Sequence, residues 1–434
     1  MMKLSPPRST RARTGRCYVP TVPLTRRGSG AEGVEILQEI PGELGVLLWA
    51  TLRDVMLYLG VPAAERGGLF PADAGEGRRA EIRGCGADPA LWAPLLVVAE
   101  MMEAPEEASR ARVAHACRAV ARWAEAEAPA TRLAFSQAAA LARPGDPRLA
   151  LATARLARDA ADHARAETWF RRAVKLARGK DWESYGWAFV GLGVLYHRSG
   201  NYPAARAVVG RALRTARRRR MRGLAGAAHH ELFVFALDAH RVDEAYAHAG
   251  SAVQAYGPAH PRLPALAHDV GCFWSQQGYF ARALPVFEQV LPCFTEPTAQ
   301  ALVVANAARA AAGAGDRERY EENRAATLAL LDRGSACAPV AAESLLLLAR
   351  ADNTMAEWAR AEETASRAAR VAAARNESHT RMLAEGQLDS ARRRLALHTP
   401  APEEPAEIAR DAERLADEFG RFLRRRSELQ FAAA

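Results

Sequence analysis

Small residues recur along this chain at a long, nearly constant interval. Ala166, Ala205, Ala245, Ala283, Tyr320 and Ala361 follow one another at spacings of 39, 40, 38, 37 and 41. A second track runs in phase through Ala173, Ala212, Ala252, Val290, Thr327 and Ala368. A third runs through Ala154, Gly193, Phe233, Gly271, Ala308 and Ala349. Three parallel tracks mean that one packing unit is used about six times. Such units cannot bury an apolar face alone, so they stack on their neighbours.

The clearest copy lies between residues 189 and 213. Phe189, Leu192, Gly193 and Tyr196 fall at i, i+3, i+4 and i+7, which is one helix face. Gly200-Asn201 then stops the helix, because both residues tolerate the left-handed conformation found just past a helix end. After Tyr202, Pro203 suits the first turn of a second helix, where its missing N–H costs nothing. Ala205, Val209, Ala212 and Leu213 line that second helix. The pattern predicts a hairpin of two antiparallel helices. Small side chains at the crossing let the two axes approach, since interaxial distance follows side-chain size.

The hairpin resembles the tetratricopeptide repeat (TPR). The residues that carry the likeness are Phe189, Leu192, Gly193, Tyr196, Gly200, Tyr202, Ala205, Val209 and Ala212, with Ala245, Gly278 and Ala283 at matching places in later copies. Arg217 stands where the family has a terminal Pro. Residues 257–291 are similar to the longer kinesin-light-chain subtype, through Gly257, His260-Pro261, Gln277-Gly278 and Phe280. In the fifth and sixth copies Tyr320 and Thr327 replace small residues, and Asp352-Asn353 interrupt the apolar pattern. The resemblance implies an all-α fold, a right-handed superhelical solenoid of antiparallel helix pairs.

The expected organisation has four parts. Residues 1–33 form a disordered basic tail, with seven Lys/Arg and no acid in the first 30. Residues 34–143 form an N-terminal helical region, with helices at 44–60, 88–101, 106–127 and 131–142 and a Gly/Pro loop over Glu65–Gly77. Residues 144–375 form the TPR-like solenoid of about six hairpins. Residues 376–434 form a C-terminal helical cap, with helices over 376–396 and 405–428. A solenoid end needs a polar outer face, which this charged segment supplies.

Composition narrows the function classes. Of 59 cationic residues 56 are arginine, and alanine is abundant. That pairing fits a GC-rich bacterial genome, so the net charge of +9 does not by itself point to nucleic acid. The run Arg217–Arg220, with Arg222, closes a helix, where cations complement the dipole. Val46–Leu59 is the most apolar stretch, but Arg53 and Asp54 interrupt it and it falls short of the ~20 residues of a membrane span. No apolar leader core follows Met1, so a cytoplasmic protein without membrane insertion is expected.

No catalytic or cofactor motif stands out. Gly191-x-Gly193 lacks a third glycine and a preceding strand. His229-His230-Glu231 lacks the second histidine of H-E-x-x-H, which would fall at Val234. His268 and Cys272 share a helix face at i, i+4, but a zinc site usually takes three or four ligands and no third stands nearby in sequence. No enzyme activity, metal or cofactor is expected.

TPR arrays bind proteins or peptides on the concave face lined by first helices. The resemblance places Arg155, Arg158, His197, Arg198, His230, Asp238, His268 and Arg309 there. Arg and His dominate, so an acidic or C-terminal carboxylate ligand is expected. The carboxylate clamp of chaperone-binding TPRs uses asparagines at the position held here by Arg155, Val194, Val234, Cys272 and Arg309, and none of these is Asn. The function expected is a scaffold or adaptor for a protein or peptide partner. The alternative is a ligand-sensing regulator linked to transcription or signalling, gating DNA or a partner, which an exposed basic recognition helix within residues 34–84 would favour.

Overall fold

A computed structural model describes residues 33–124, 128–333, 337, 340–375, 377–396 and 403–431. Apart from Gly33, the expected basic tail lies outside the described residues. The described residues form twenty α-helices and no strand. They divide into two units, residues 1–208 and 209–434.

In the first unit α1 (Glu35–Glu39) and α2 (Glu43–Gly60) precede α3 (Ala74–Gly84), α4 (Pro89–Glu103), α5 (Arg110–Trp123) and α6 (Pro129–Ala142). The apolar run read as a buried helix is α2, and its Leu47, Leu48, Leu52, Val55 and Tyr58 are buried. They share a core with Leu91, Leu95, Val98, Val113, Val120 and Phe135. The Tyr58 hydroxyl donates to the Ala108 carbonyl at 2.6 Å. The expected Gly/Pro loop is shorter than read, because α3 starts inside it at Ala74. Glu76 and Arg83 at its two ends suit the helix dipole, and Ile82 anchors it in the core. Glu39 caps α6, accepting from the backbone N–H groups of Ala130 (2.6 Å) and Thr131 (2.8 Å).

Hairpins follow. α7 (Pro147–Asp159) pairs with α8 (His163–Ala177), and α9 (Trp182–Arg198) leads to α10 (Tyr202–Arg219), which crosses the unit boundary. In the second unit α11 (Arg222–Asp238) pairs with α12 (Val242–Tyr256) and α13 (Leu263–Gln276) with α14 (Phe280–Val290). Likewise α15 (Pro297–Ala314) pairs with α16 (Arg317–Asp332) and α17 (Ala341–Thr354) with α18 (Trp358–Ala374). First helices also touch the next first helix, as α7 does α9, α13 does α15 and α15 does α17. Ala166, Ala205, Ala212, Ala245, Ala283 and Ala361 are fully buried, as the repeat tracks require.

The six hairpin turns share one backbone solution. A single residue in each takes positive φ: Ala161, Gly200, His240, Gly278, Gly315 and Ala356, at 54–87°. The next N–H returns to a carbonyl five residues back at 2.8–2.9 Å, as in Asn201 to Tyr196 and Glu357 to Asp352. This is the Schellman closure, which satisfies carbonyls left over at a helix end. Gly200 has the conformation its sequence implied. Gly191 is a packing glycine: a Cβ there would lie 2.2 Å from the Phe170 ring.

The fifth and sixth hairpins replace their missing small residues with a buried polar network. Tyr320, in a small-residue position, donates to Asp352 at 2.6 Å. Arg324 and Thr364 reach the same carboxylate at 2.9 and 2.8 Å. Asn353 donates to the Gln387 carbonyl at 3.0 Å. Asp352 and Asn353 therefore do not interrupt α17. They are fully buried within it and hydrogen-bonded to its neighbours.

The two C-terminal helices behave differently from each other. α19 (Ser378–Arg392) packs on α17 and α18, continuing the stack. α20 (Ala406–Phe431) folds back onto α12 and α14. Its stripe Ala412, Leu415, Phe419 and Leu423 is buried. Arg282 grips Glu404 with two bonds of 2.8 and 3.1 Å, and Gln254 donates to Glu418 at 2.9 Å. The charged last helix was expected to close the end of the stack. Its apolar stripe instead takes it to second helices 120 and more residues upstream.

Candidate functional site

The repeat register brings polar side chains of the first helices together in the second unit. His230 lies on α11, His268, Asp269 and Cys272 on α13, Asn306 and Arg309 on α15, and Arg350 on α17. Cys272, Arg309 and Arg350 each directly follow the small residue of their copy (Gly271, Ala308, Ala349). Equivalent positions on stacked first helices form a ladder.

One chain of polar contacts crosses three of these helices. His230 Nε2 meets Asp269 Oδ2 at 2.8 Å. The other Asp269 oxygen faces His268 Nδ1 at 3.4 Å. On its far side His268 Nε2 lies 3.4 Å from Asn306 Nδ2, which donates to the Leu302 carbonyl at 3.0 Å. Cys272 Sγ lies 3.6 and 3.9 Å from the two His268 ring nitrogens, nearly equidistant, so it sits beside the ring and off both N–H axes. His230 is almost wholly buried and His268 is half-buried.

The electrostatics follow from the geometry. Burial alone would raise the Asp269 pKa, but its bonds to His230 and His268 hold it well below the usual carboxylate range. Burial alone would lower the His268 pKa, yet Cys272 and Asp269 together push it up to about 10. Near neutral pH the two form an ion pair. Arg309 is lowered to about 10 by burial first and then by the charge of Arg350. Burial also lowers Arg350.

The other expected groove residues are arranged separately. Arg155 lies over the Trp187 ring at 5.3 Å, and Arg158 bonds to Asp159 at 2.8 and 3.0 Å. His197 meets the edge of Tyr202 at 5.3 Å between ring centres, and Tyr202 itself is exposed. Arg198 and Asp238 end α9 and α11, both exposed. So the structure joins His230 and His268 through Asp269, with Arg309 on the next first helix near the charges of Cys272 and Arg350. It adds Asp269, Asn306 and Arg350, which the face-by-face reading missed. Arg350 carried a legible signal: it lies 41 residues after Arg309, one repeat on.

The motif residues act in packing. Phe189, Leu192 and Gly193 are buried. Tyr196 ties α9 to α8, donating to Glu167 at 2.9 Å and accepting from Arg171 at 3.1 Å. Residues 148–218 match the tetratricopeptide repeat family, over the α7–α10 segment. Residues 148–218 are tetratricopeptide repeats.

Among solved structures, the chain is similar to BtubC (BKLC) from P. vanneervenii at 17% identity. That match covers 52% of this chain and 89% of that one, with a TM-score of 0.38. It is also similar to the nearly identical TPR-like repeats of a Podosopora anserina protein described as a kinesin light chain. There the identity is 18%, over 43% of this chain and 96% of that one, with a TM-score of 0.35. A third is YrrB, a TPR protein with an unusual peptide-binding site, at 18% identity over 46% of this chain and 95% of that one, TM-score 0.29. No curated protein matches the sequence.

His229, next to His230, faces another way. Arg217 is a donor only, so the 3.4 Å contact makes His229 Nε2 the acceptor. Nδ1 then carries the proton and donates to His248 Nδ1 at 3.1 Å, and His248 Nε2 faces Glu244 at 3.6 Å. Burial, then His248 and Arg217, hold the His229 pKa down at about 4. Among the described residues no group of three or more His, Cys, Asp or Glu is placed to hold a metal. No helix among them is long and apolar enough to cross a membrane.

Proposed function

We propose that this TPR protein is a non-enzymatic scaffold that binds an acidic protein or peptide segment on the first-helix face of its second unit. The observation that carries the reading is the chain His230–Asp269–His268–Asn306, which presents a fixed polar surface across three successive first helices. Its Asp269–His268 pair cancels in charge, which leaves Arg309 and Arg350 as the excess charge of the face. An acidic segment complements that excess, and its backbone finds hydrogen-bonding partners in the half-buried His268 and in Asn306. His230, Asp269, His268 and Asn306 are held by neighbours before any ligand arrives, which lowers the ordering cost of binding.

The alternative, a ligand-sensing regulator linked to transcription or signalling, would be favoured by an exposed basic recognition helix within residues 34–84. The basic helix there is α3, and its Arg78 holds Asp54 and Glu81 while Arg79 holds Glu103. Those two arginines are engaged in the fold, which favours the scaffold.

The test is a peptide array with acidic, neutral and basic sequences of equal length, probed with the full chain and with Arg309→Glu. Selective capture of acidic peptides, abolished by Arg309→Glu, supports the proposal. Capture that ignores peptide charge, or that survives the reversal, refutes it.

A further inference from the structure

Arg309 and Arg350 are two half-buried guanidinium groups at equivalent positions of adjacent first helices. Among the described residues neither one forms an ion pair within 4.0 Å, and the carboxylate whose charge Arg350 feels is Glu343, two turns earlier on α17. The Arg309 side chain makes a single long bond of 3.4 Å, to the Ser275 carbonyl. Most arginines nearby on this fold are differently served: Arg282 holds Glu404, Arg324 holds Asp352 and Arg360 holds Glu321. Burying like charges side by side is unfavourable unless something neutralises them. Within the ladder, Asp269 is already engaged by His230 and His268 and cannot serve.

We infer that Arg309 and Arg350 form an oxyanion subsite, with Asn306 and the imidazole of His268 beside it. The shared chemistry is a planar or tetrahedral oxyanion on a peptide, supplied by a carboxylate or by a phosphate. The guanidinium fork presents paired N–H donors that match either group, as an ammonium does not. The inference rests on the acidic-segment reading and deepens it, because it names the two side chains that hold the anion and the group they hold.

Fluorescence anisotropy of three labelled peptides on the full chain tests it: one rich in Glu, one carrying phosphoserine and one with Gln and Ser at the same places. Arg309→Gln and Arg350→Gln are each expected to weaken the oxyanion peptide at least tenfold. Exposed Arg370→Gln serves as the control and stays within twofold. Whether the Glu or the phosphoserine peptide binds more tightly identifies the source. Arg350→Lys keeps the charge but loses the fork, so it is expected to bind several-fold more weakly than the unaltered chain. This variant covers the case in which the Gln variants fail to fold.

A second readout needs no peptide. Acetate or inorganic phosphate at constant ionic strength is expected to raise the thermal midpoint of the unaltered chain and not of Arg350→Gln. If the anions stabilise as described and no peptide binds, the subsite stands and the peptide reading falls. If acidic peptides bind equally to the unaltered chain, Arg309→Gln, Arg350→Gln and Arg350→Lys, the peptide reading stands and the subsite falls.

Discussion

His230 Nε2 and Asp269 Oδ2 meet at 2.8 Å across the contact between α11 and α13. The two residues lie 39 positions apart, one repeat, so the bond joins neighbouring hairpins. It makes the polar face a property of the stack rather than of any single helix.

Asp269→Asn is expected to cost about 1–2 kcal/mol near pH 6. That is below the value for a fully buried pair, because the Asp269 side chain is 43% accessible and water screens it. The pH profile carries the signature. His268 has a raised folded pKa, about 10 against 6.5, so its contribution is complete below pH 6.5 and is lost as pH rises toward 10. Asp269 is depressed, so its contribution is present above the ordinary carboxylate range and is lost in stronger acid. Urea midpoints between pH 6.5 and 10 should fall for the natural chain and fall less steeply for Asp269→Asn, because Cys272 still raises His268 in that variant.

His229 predicts the opposite slope in mild acid. Its folded pKa of about 4 lies below the ordinary 6.5, so the unfolded chain binds the extra proton first. Stability should drop by about 1–3 kcal/mol as pH falls from 6.5 to 4. The groups that face it are Arg217, His248 and, through His248, Glu244. His229→Gln should reduce this acid slope in urea titrations, and an unchanged slope would place the titration elsewhere.

Asp352→Ala should be among the most damaging single changes in the sixth hairpin. It strands the Tyr320 hydroxyl, the Thr364 hydroxyl and the Arg324 guanidinium in a buried place. Breaking a buried charged network of this kind costs about 3–5 kcal/mol. Tyr320→Phe removes one donor and should cost only about 1 kcal/mol. Equilibrium unfolding of the two variants side by side checks the ratio.

Ala161→Gly and Ala356→Gly should each stabilise by about 0.5 kcal/mol. Both alanines hold positive φ (56° and 58°) in turns whose counterparts use Gly200, Gly278 and Gly315. Relief of the Cβ clash, about 1 kcal/mol, exceeds the added chain entropy of glycine by a small margin. Thermal midpoints that rise for both, and more for the double variant, would bear this out.

Much of the architecture was legible because it is local. The helix faces at Phe189–Tyr196 and Ala205–Leu213 and the stop at Gly200 depend on residues within one or two turns of each other. The start of α3 was missed because Gly and Pro around it mimic a loop, while the deciding contact, Ile82 in the core, is supplied by distant helices. The site was half legible. His230, His268 and Arg309 stood out as polar residues at repeat positions. Asp269 did not, because it sits about 100° around the helix from His268, on the flank that turns toward α11.

Spacing along the chain was therefore enough to specify helices, turns, period and the family of repeat, since each is set by steric and hydrogen-bonding rules acting over a few residues. Only the tertiary structure decided that Asp269 neutralises His268 and that Arg309 and Arg350 form no close ion pair among the described residues. Only the tertiary structure, too, sent α20 back to α12 and α14. Charge pairing and docking depend on distances between residues 39 to 167 positions apart, and those distances exist only once the helices have stacked.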